Sequence, residues 1–102
     1  MSEIFLDFEK TDGRKITVRS RNDGDTFSPS GLNGKKKLKD YFIDEKIPVF
    51  LRNSVPLIVI DDEIACVGTM RVCEKFKPNS NTNKFLRIEI SDGGNTDDTK
   101  EC

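Results

Sequence analysis

Histidine and tryptophan are both missing from this 102-residue chain, and tyrosine occurs once. Without an imidazole, Ser-His-Asp and Cys-His nucleophilic catalysis are excluded, together with most side-chain sets that hold a transition metal. The cysteines Cys66, Cys73 and Cys102 are odd in number and lack C-x-x-C spacing, so they read as free thiols. Cys66 sits within Ile64-Ala65-Cys66-Val67 and is expected to be a small core residue. No stretch approaches the ~18 consecutive apolar residues of a membrane span, and the N-terminus lacks the basic-then-apolar order of a signal peptide. A cytoplasmic protein without membrane contact is therefore expected. Nor is there an excess of either charge, since 17 Lys and Arg face 18 Asp and Glu.

What charge there is lies unevenly along the chain. Residues 14–39 hold eight basic side chains against Asp23 and Asp25, a surplus of six, whereas four acids oppose Lys100 from Ser91 onward. Hydrophobic and charged residues each make up 34%, which suits one small domain with a modest interior. The reading is a single domain over residues 1–90 followed by a flexible acidic tail over 91–102.

Short β-rich runs punctuate the first part of the chain. Ile4–Phe8 and Lys15–Arg19 flank Thr11-Asp12-Gly13, which predicts a hairpin with Ile16 and Val18 inward and Lys15, Thr17 and Arg19 outward. Turn formers then fill Ser20 to Gly34, a long loop of the kind that binds ligands in small domains. Pro56–Ile60 and Ile64–Val67 flank the acidic turn Asp61-Asp62-Glu63 and are apolar enough to be buried on both faces, the centre of the fold. Phe85–Ile90 alternates cleanly and should close the sheet, with Leu86, Ile88 and Ile90 inward. The polar segment from Lys77 to Lys84 reads as a loop.

One helix is expected, opened by Lys35-Lys36-Lys37-Leu38-Lys39. Leu38, Tyr41 and Phe42 fall at i, i+3 and i+4 and form an apolar stripe. Pro48 stops this helix near Lys46-Ile47 and can begin a short helical turn through Arg52. Lysines at the start and Asp44 and Glu45 at the end run against the helix dipole, so stability does not account for the order. Clustered ammonium groups beside free backbone N–H groups describe a phosphate-binding surface instead. Arg19 and Arg21 extend that surface with forked donors suited to phosphate.

Other binding motifs fail on spacing. Gly31-Leu32-Asn33-Gly34-Lys35 separates its glycines by two residues where a P-loop has four, and Lys36 stands where magnesium would need Ser or Thr. The same G-x-x-G matches the clamp of KH domains, but no helix-forming segment precedes it. Asp61-Asp62-Glu63 lacks the ligand spacing of a calcium loop.

From Val18 to Pro48, then through Arg52, Val55-Pro56-Leu57 and Gly68–Phe76, the chain resembles the C-terminal domain of bacterial tRNA(Ile)-lysidine synthetases. Two departures are visible: Val49-Phe50-Leu51 is apolar where that family usually carries charge, and Cys66 replaces a common tryptophan. The resemblance implies an α+β fold of the PheT/TilS type, a small single domain of mostly antiparallel strands and hairpins with one main amphipathic helix. It further implies a non-catalytic RNA-binding module that grips the acceptor stem of an isoleucine tRNA. Lysine would be joined to the anticodon cytidine in an N-terminal catalytic domain of the parent ligase, the partner that brings ATP and magnesium; this chain would carry no cofactor. Expected RNA contacts are Arg19, Arg21, Lys35, Lys36, Lys37 and Lys39, with Arg52 and Arg71 added from their family positions. Two rivals remain: a protein-interaction or structural domain that docks through Val49-Phe50-Leu51, and a free-standing RNA binder without tRNA preference.

Overall fold

Two strands buried on both faces organise the molecule. The computed structural model describes residues 2–32 and 34–91. At its centre β5 (Leu57–Ile60) pairs antiparallel with β6 (Glu63–Val67), and all of both strands is buried except Glu63. Alternation along β5 sends Ile58 and Ile60 into one core and Leu57 and Val59 into the other. In β6 the alternation is broken by a bulge. Ile58 pairs with Cys66 but Val59 with Ile64, so Ala65 is the extra residue, and Ala65 and Cys66 both enter the first core. The turn between the strands places Asp61 at φ 56°, a left-handed conformation that a short polar side chain tolerates. β2 (Ile16–Arg19) flanks β5 and β7 (Arg71–Val72) flanks β6, which completes a four-stranded antiparallel sheet in the order β2-β5-β6-β7.

The first core is closed by a separate two-stranded sheet. β1 (Ser2–Asp7) pairs with β8 (Phe85–Ile90) from Ser2↔Ile90 to Asp7↔Phe85, and Ile4, Leu6, Leu86 and Ile88 face the core. The hairpin expected between Ile4–Phe8 and Lys15–Arg19 does not form. After β1 the chain enters a 3-10 turn, Phe8–Thr11, in which the Asp7 carboxylate accepts the Glu9 N–H at 3.1 Å and Thr11 Oγ1 donates to the Phe8 carbonyl at 2.7 Å. Asp12 at φ 51° and Gly13 at φ 69° then turn it out of that sheet, and β2 finds β5 instead. Likewise β8 does not extend the main sheet. Its alternation is as expected, with Leu86, Ile88 and Ile90 half-buried and their neighbours exposed.

Ile16 and Val18 correct a second expectation. They oppose Ile60 and Ile58, and so share the face of the first core, but the β1–β8 layer does not cover this edge strand: Ile16 is 40% exposed and Val18 64%. Cys66 and Cys73 are buried free thiols, and burial pushes the Cys66 thiol up to about 12. Cys102 and the acidic tail beyond Ser91 lie outside the described residues.

On the other side, the second core is closed by α1 (Leu38–Asp44), whose Leu38, Tyr41 and Phe42 are buried as the i, i+3, i+4 stripe requires. Beside it β3 (Thr26–Phe27) pairs with β4 (Lys36–Lys37) in a two-residue ladder, and Phe27 meets Tyr41 edge to face at 5.0 Å. A single helical turn, α2 (Val49–Arg52), follows Pro48 as anticipated. Among the described residues no helix is long and apolar enough to cross a membrane.

Phe42 is fully buried and ties α1 to the sheet. Replacing it with Ala should cost about 3–5 kcal/mol, read as a lowered urea midpoint with an unchanged m value.

Candidate nucleic-acid interface

Asp25 arranges the most basic part of the surface. Its carboxylate accepts both terminal amino groups of Arg19, Nη1 to Oδ2 at 2.9 Å and Nη2 to Oδ1 at 3.0 Å, and also the Asn22 N–H at 2.7 Å. Its backbone carbonyl takes the Leu38 N–H at 2.9 Å, the first amide of α1. One residue thus binds β2, shapes the turn over residues 22–25 with Gly24 at φ 85°, and receives the helix start. The two hydrogen bonds from Arg19 hold the Asp25 carboxyl below its usual range; partial burial opposes this, and the Asn22 amide and the Arg19 charge reinforce it.

The result is a cleft of about 290 Å³ between the 21–25 turn and the strand-to-helix junction, bordered by Arg21, Asn22, Asp23, Lys37 and Lys39, with Gly24, Asp25 and Leu38 completing its lining. Asp25 is balanced by Arg19. That leaves three cations facing the single carboxylate of Asp23. Arg21 is steadied by Nε donating to Asn53 Oδ1 at 2.9 Å, a bond that spares its two terminal amino groups. Lys37 and Lys39 are exposed, and their ammonium groups make no hydrogen bond or ion pair among the described residues.

The lysines do not open the helix. Lys36 and Lys37 are strand β4, and α1 begins only at Leu38, because the β3 ladder claims the backbone of the preceding pair. Lys39 alone lies in the first turn, beside Asp40, with Lys37 at the N-cap, so the basic half of the reversed charge order is reduced while the acidic half, Asp44 and Glu45 at the C-terminal end, stands as expected. The cluster draws its form from a strand edge and a turn.

The other expected residues are placed differently. Lys36 is half-buried and ion-paired with Asp44 at the far end of α1. Lys35 is exposed and borders a second depression of about 90 Å³ with Asp62 and Glu63, whose carboxyl lies below its usual range chiefly through a hydrogen bond from Lys75. Arg19 spends its fork on Asp25. Arg52 donates to the Ile47 carbonyl at 2.8 Å and Arg71 to the Ser30 carbonyl at 2.9 Å, so both secure loops. Of the eight, Arg21, Lys37 and Lys39 are brought together. Asn53 and Asp23 were not anticipated. The Asn22-Asp23-Gly24-Asp25 turn signal was visible, but nothing local shows that Asn53 would meet Arg21 across 32 positions.

A family model described as the TilS substrate C-terminal domain matches residues 16–90. A tRNA(Ile)-lysidine synthase of Caldanaerobacter subterraneus subsp. tengcongensis is 53% identical over 87 residues, which is 85% of this chain and 18% of that protein. The Clostridium tetani tRNA(Ile)-lysidine synthase is 49% identical over 86 residues, again 18% of its length. This chain therefore spans less than a fifth of these relatives. Among solved structures, the crystal structure of a TILS C-terminal domain superposes with a TM-score of 0.69 at 27% identity, covering 83% of this chain and 65% of the other.

An Asp25→Asn variant tests the organising bond. Because the folded-state pKa of Asp25 is depressed, its contribution is complete above the unfolded value and is lost as pH falls through the folded one. At pH 7 the variant should be less stable by about 1–2 kcal/mol, a figure discounted for the partly exposed pair. The gap from the unsubstituted protein should narrow below about pH 4 in parallel denaturation curves.

Proposed function

Since the chain belongs to the TilS substrate C-terminal domain family, we propose that it is the non-catalytic tRNA-binding module of a tRNA(Ile)-lysidine synthase. The observation that carries this reading is the cleft in which Arg21, Lys37 and Lys39 converge with one opposing carboxylate. A-form RNA hides its base edges in a deep, narrow groove and presents a regular phosphate backbone and ribose hydroxyls. A cleft walled by a bonded turn on one side and a strand-to-helix junction on the other suits such a backbone better than a small metabolite. Arg21 offers two N–H donors in a plane, whereas Lys37 and Lys39 supply point charges at the rim.

In this reading the module holds the acceptor stem of an isoleucine tRNA in the cytoplasm. A catalytic domain outside these residues, supplied with ATP and magnesium, joins lysine to the anticodon cytidine. The role of this chain is positional: three phosphate contacts give weak binding alone, and linkage to the catalytic domain raises the local concentration of tRNA there. Lys35, on the separate depression beside Asp62 and Glu63, is outside the proposed contact. Lys36, Arg19, Arg52 and Arg71 support the surface through Asp44, Asp25 and two carbonyls.

Titrating the chain with isoleucine tRNA at several salt concentrations should give a log–log slope of about −2 to −3, as expected for three contacts. Reversing charge with Lys37→Glu and Lys39→Glu together should weaken binding at least about tenfold at low salt and flatten the slope by about 2. Unchanged affinity in the double variant, or equal affinity for an unstructured RNA of the same length, would refute the assignment.

A further inference from the structure

Large apolar side chains stand in water at one corner of the molecule. Val49 is 66% exposed, Phe50 80% and Leu51 45%, and Ile43 on the adjoining turn of α1 is 50% exposed. None belongs to either core, although Ile47 and Val55 on the two sides of this segment pack against the second. Hydrogen bonds to backbone carbonyls hold the corner in place: Leu51 N–H to Pro48 at 2.9 Å, Ser54 N–H to Leu51 at 3.0 Å, and the Arg52 side-chain Nε to Ile47 at 2.8 Å. Phe50 is thus presented on an ordered support while its ring packs on nothing that folding requires.

Two connections join this corner to the basic cleft. Asn53, directly after α2, accepts the hydrogen bond from Arg21, a cleft residue. On α1, Lys39 of the cleft and Ile43 of the corner are four residues apart and share one exposed face. Through the Arg21–Asn53 bond the apolar corner adjoins the cationic cleft. Cations that hold a strand by its phosphates next to an exposed aromatic plane are the two elements with which proteins bind unpaired nucleotides, because every base has a face that can stack. An apolar protein partner would not call for the adjoining cations.

Resting on the tRNA-binding reading above, we infer that Phe50 is a stacking platform for an unpaired nucleobase on the strand whose phosphates lie along Arg21, Lys37 and Lys39. Val49 and Leu51 flank the ring and exclude water from the stacked base. A base inside a duplex is already stacked on both faces, so the platform takes one at a helix end or in a single-stranded extension. The corner thereby distinguishes RNA by where pairing stops, a discrimination the cleft cannot make by charge.

The test compares a blunt RNA hairpin with the same hairpin bearing a short unpaired extension, titrated against the full chain. Phe50→Ala should lose about 5- to 100-fold in affinity for the extended hairpin and almost nothing for the blunt one, with the salt slope unchanged. Phe50→Trp should retain affinity, and its indole fluorescence should be quenched by the extended hairpin alone. Equal binding of both RNAs by the unsubstituted protein and by Phe50→Ala would overturn the inference. If the Lys37 and Lys39 reversals still flattened the salt slope in that case, the cleft assignment would survive; if they too had no effect, both would fall. Loss of a self-associated species on Phe50→Ala, seen by sedimentation in the absence of RNA, would make the corner a contact between copies and likewise overturn it.

Discussion

The forked contact between Arg19 and Asp25 joins two parts of the molecule that sequence keeps apart. Arg19 ends β2, on the margin of the four-stranded sheet, while Asp25 leads into β3 and, through its carbonyl, into the first amide of α1. Half of the basic cleft hangs from each side of this contact. The energy involved is modest, because the Arg19 side chain is 33% exposed and that of Asp25 13%. Its value lies in geometry, since a planar fork meeting a planar carboxylate allows one arrangement where a single point charge allows many. It also neutralises one of the two acids that line the cleft, so the remaining balance favours the cations.

Different parts of this arrangement were legible in the sequence to different degrees. The hairpin of β5 and β6 was plain, because strands buried on both faces must be apolar throughout, and Leu57–Ile60 and Ile64–Val67 are. The stripe Leu38, Tyr41, Phe42 located α1 for a similar reason, as did Pro48 for the turn after it. Pairing was harder. Ile4–Leu6 looks for an apolar partner strand, and a turn signal at Asp12-Gly13 suggests the next run, yet its actual partner is separated from it by most of the chain. Local sequence carries no record of such a distance. The lysines show a subtler limit. Their grouping was evident, but whether they extend a helix or form a strand depended on Thr26 and Phe27, ten residues earlier, claiming their backbone.

A division of labour follows from the doubly buried hairpin. One face supports the β1–β8 layer; the other supports α1, Phe27 and the cleft. The span matched by the family model starts at the first residue of β2 and stops at the last of β8, so it contains the whole layer that shapes the cleft and only one strand of the opposite sheet. Variation in β1 can then be accommodated without disturbing the surface on which tRNA is proposed to rest.

The partnership of β1 with β8 bears on how the chain matures. β1 is made more than seventy residues before its partner β8, so the outer layer can assemble only after Ile90 has been added. Until then Ile4 and Leu6 have no strand beside them, and the first core stays open on one side while the second, built from residues 27–67, is already complete. The layer that bears the cleft is thus ready before translation of this domain ends, and the layer opposite it closes last.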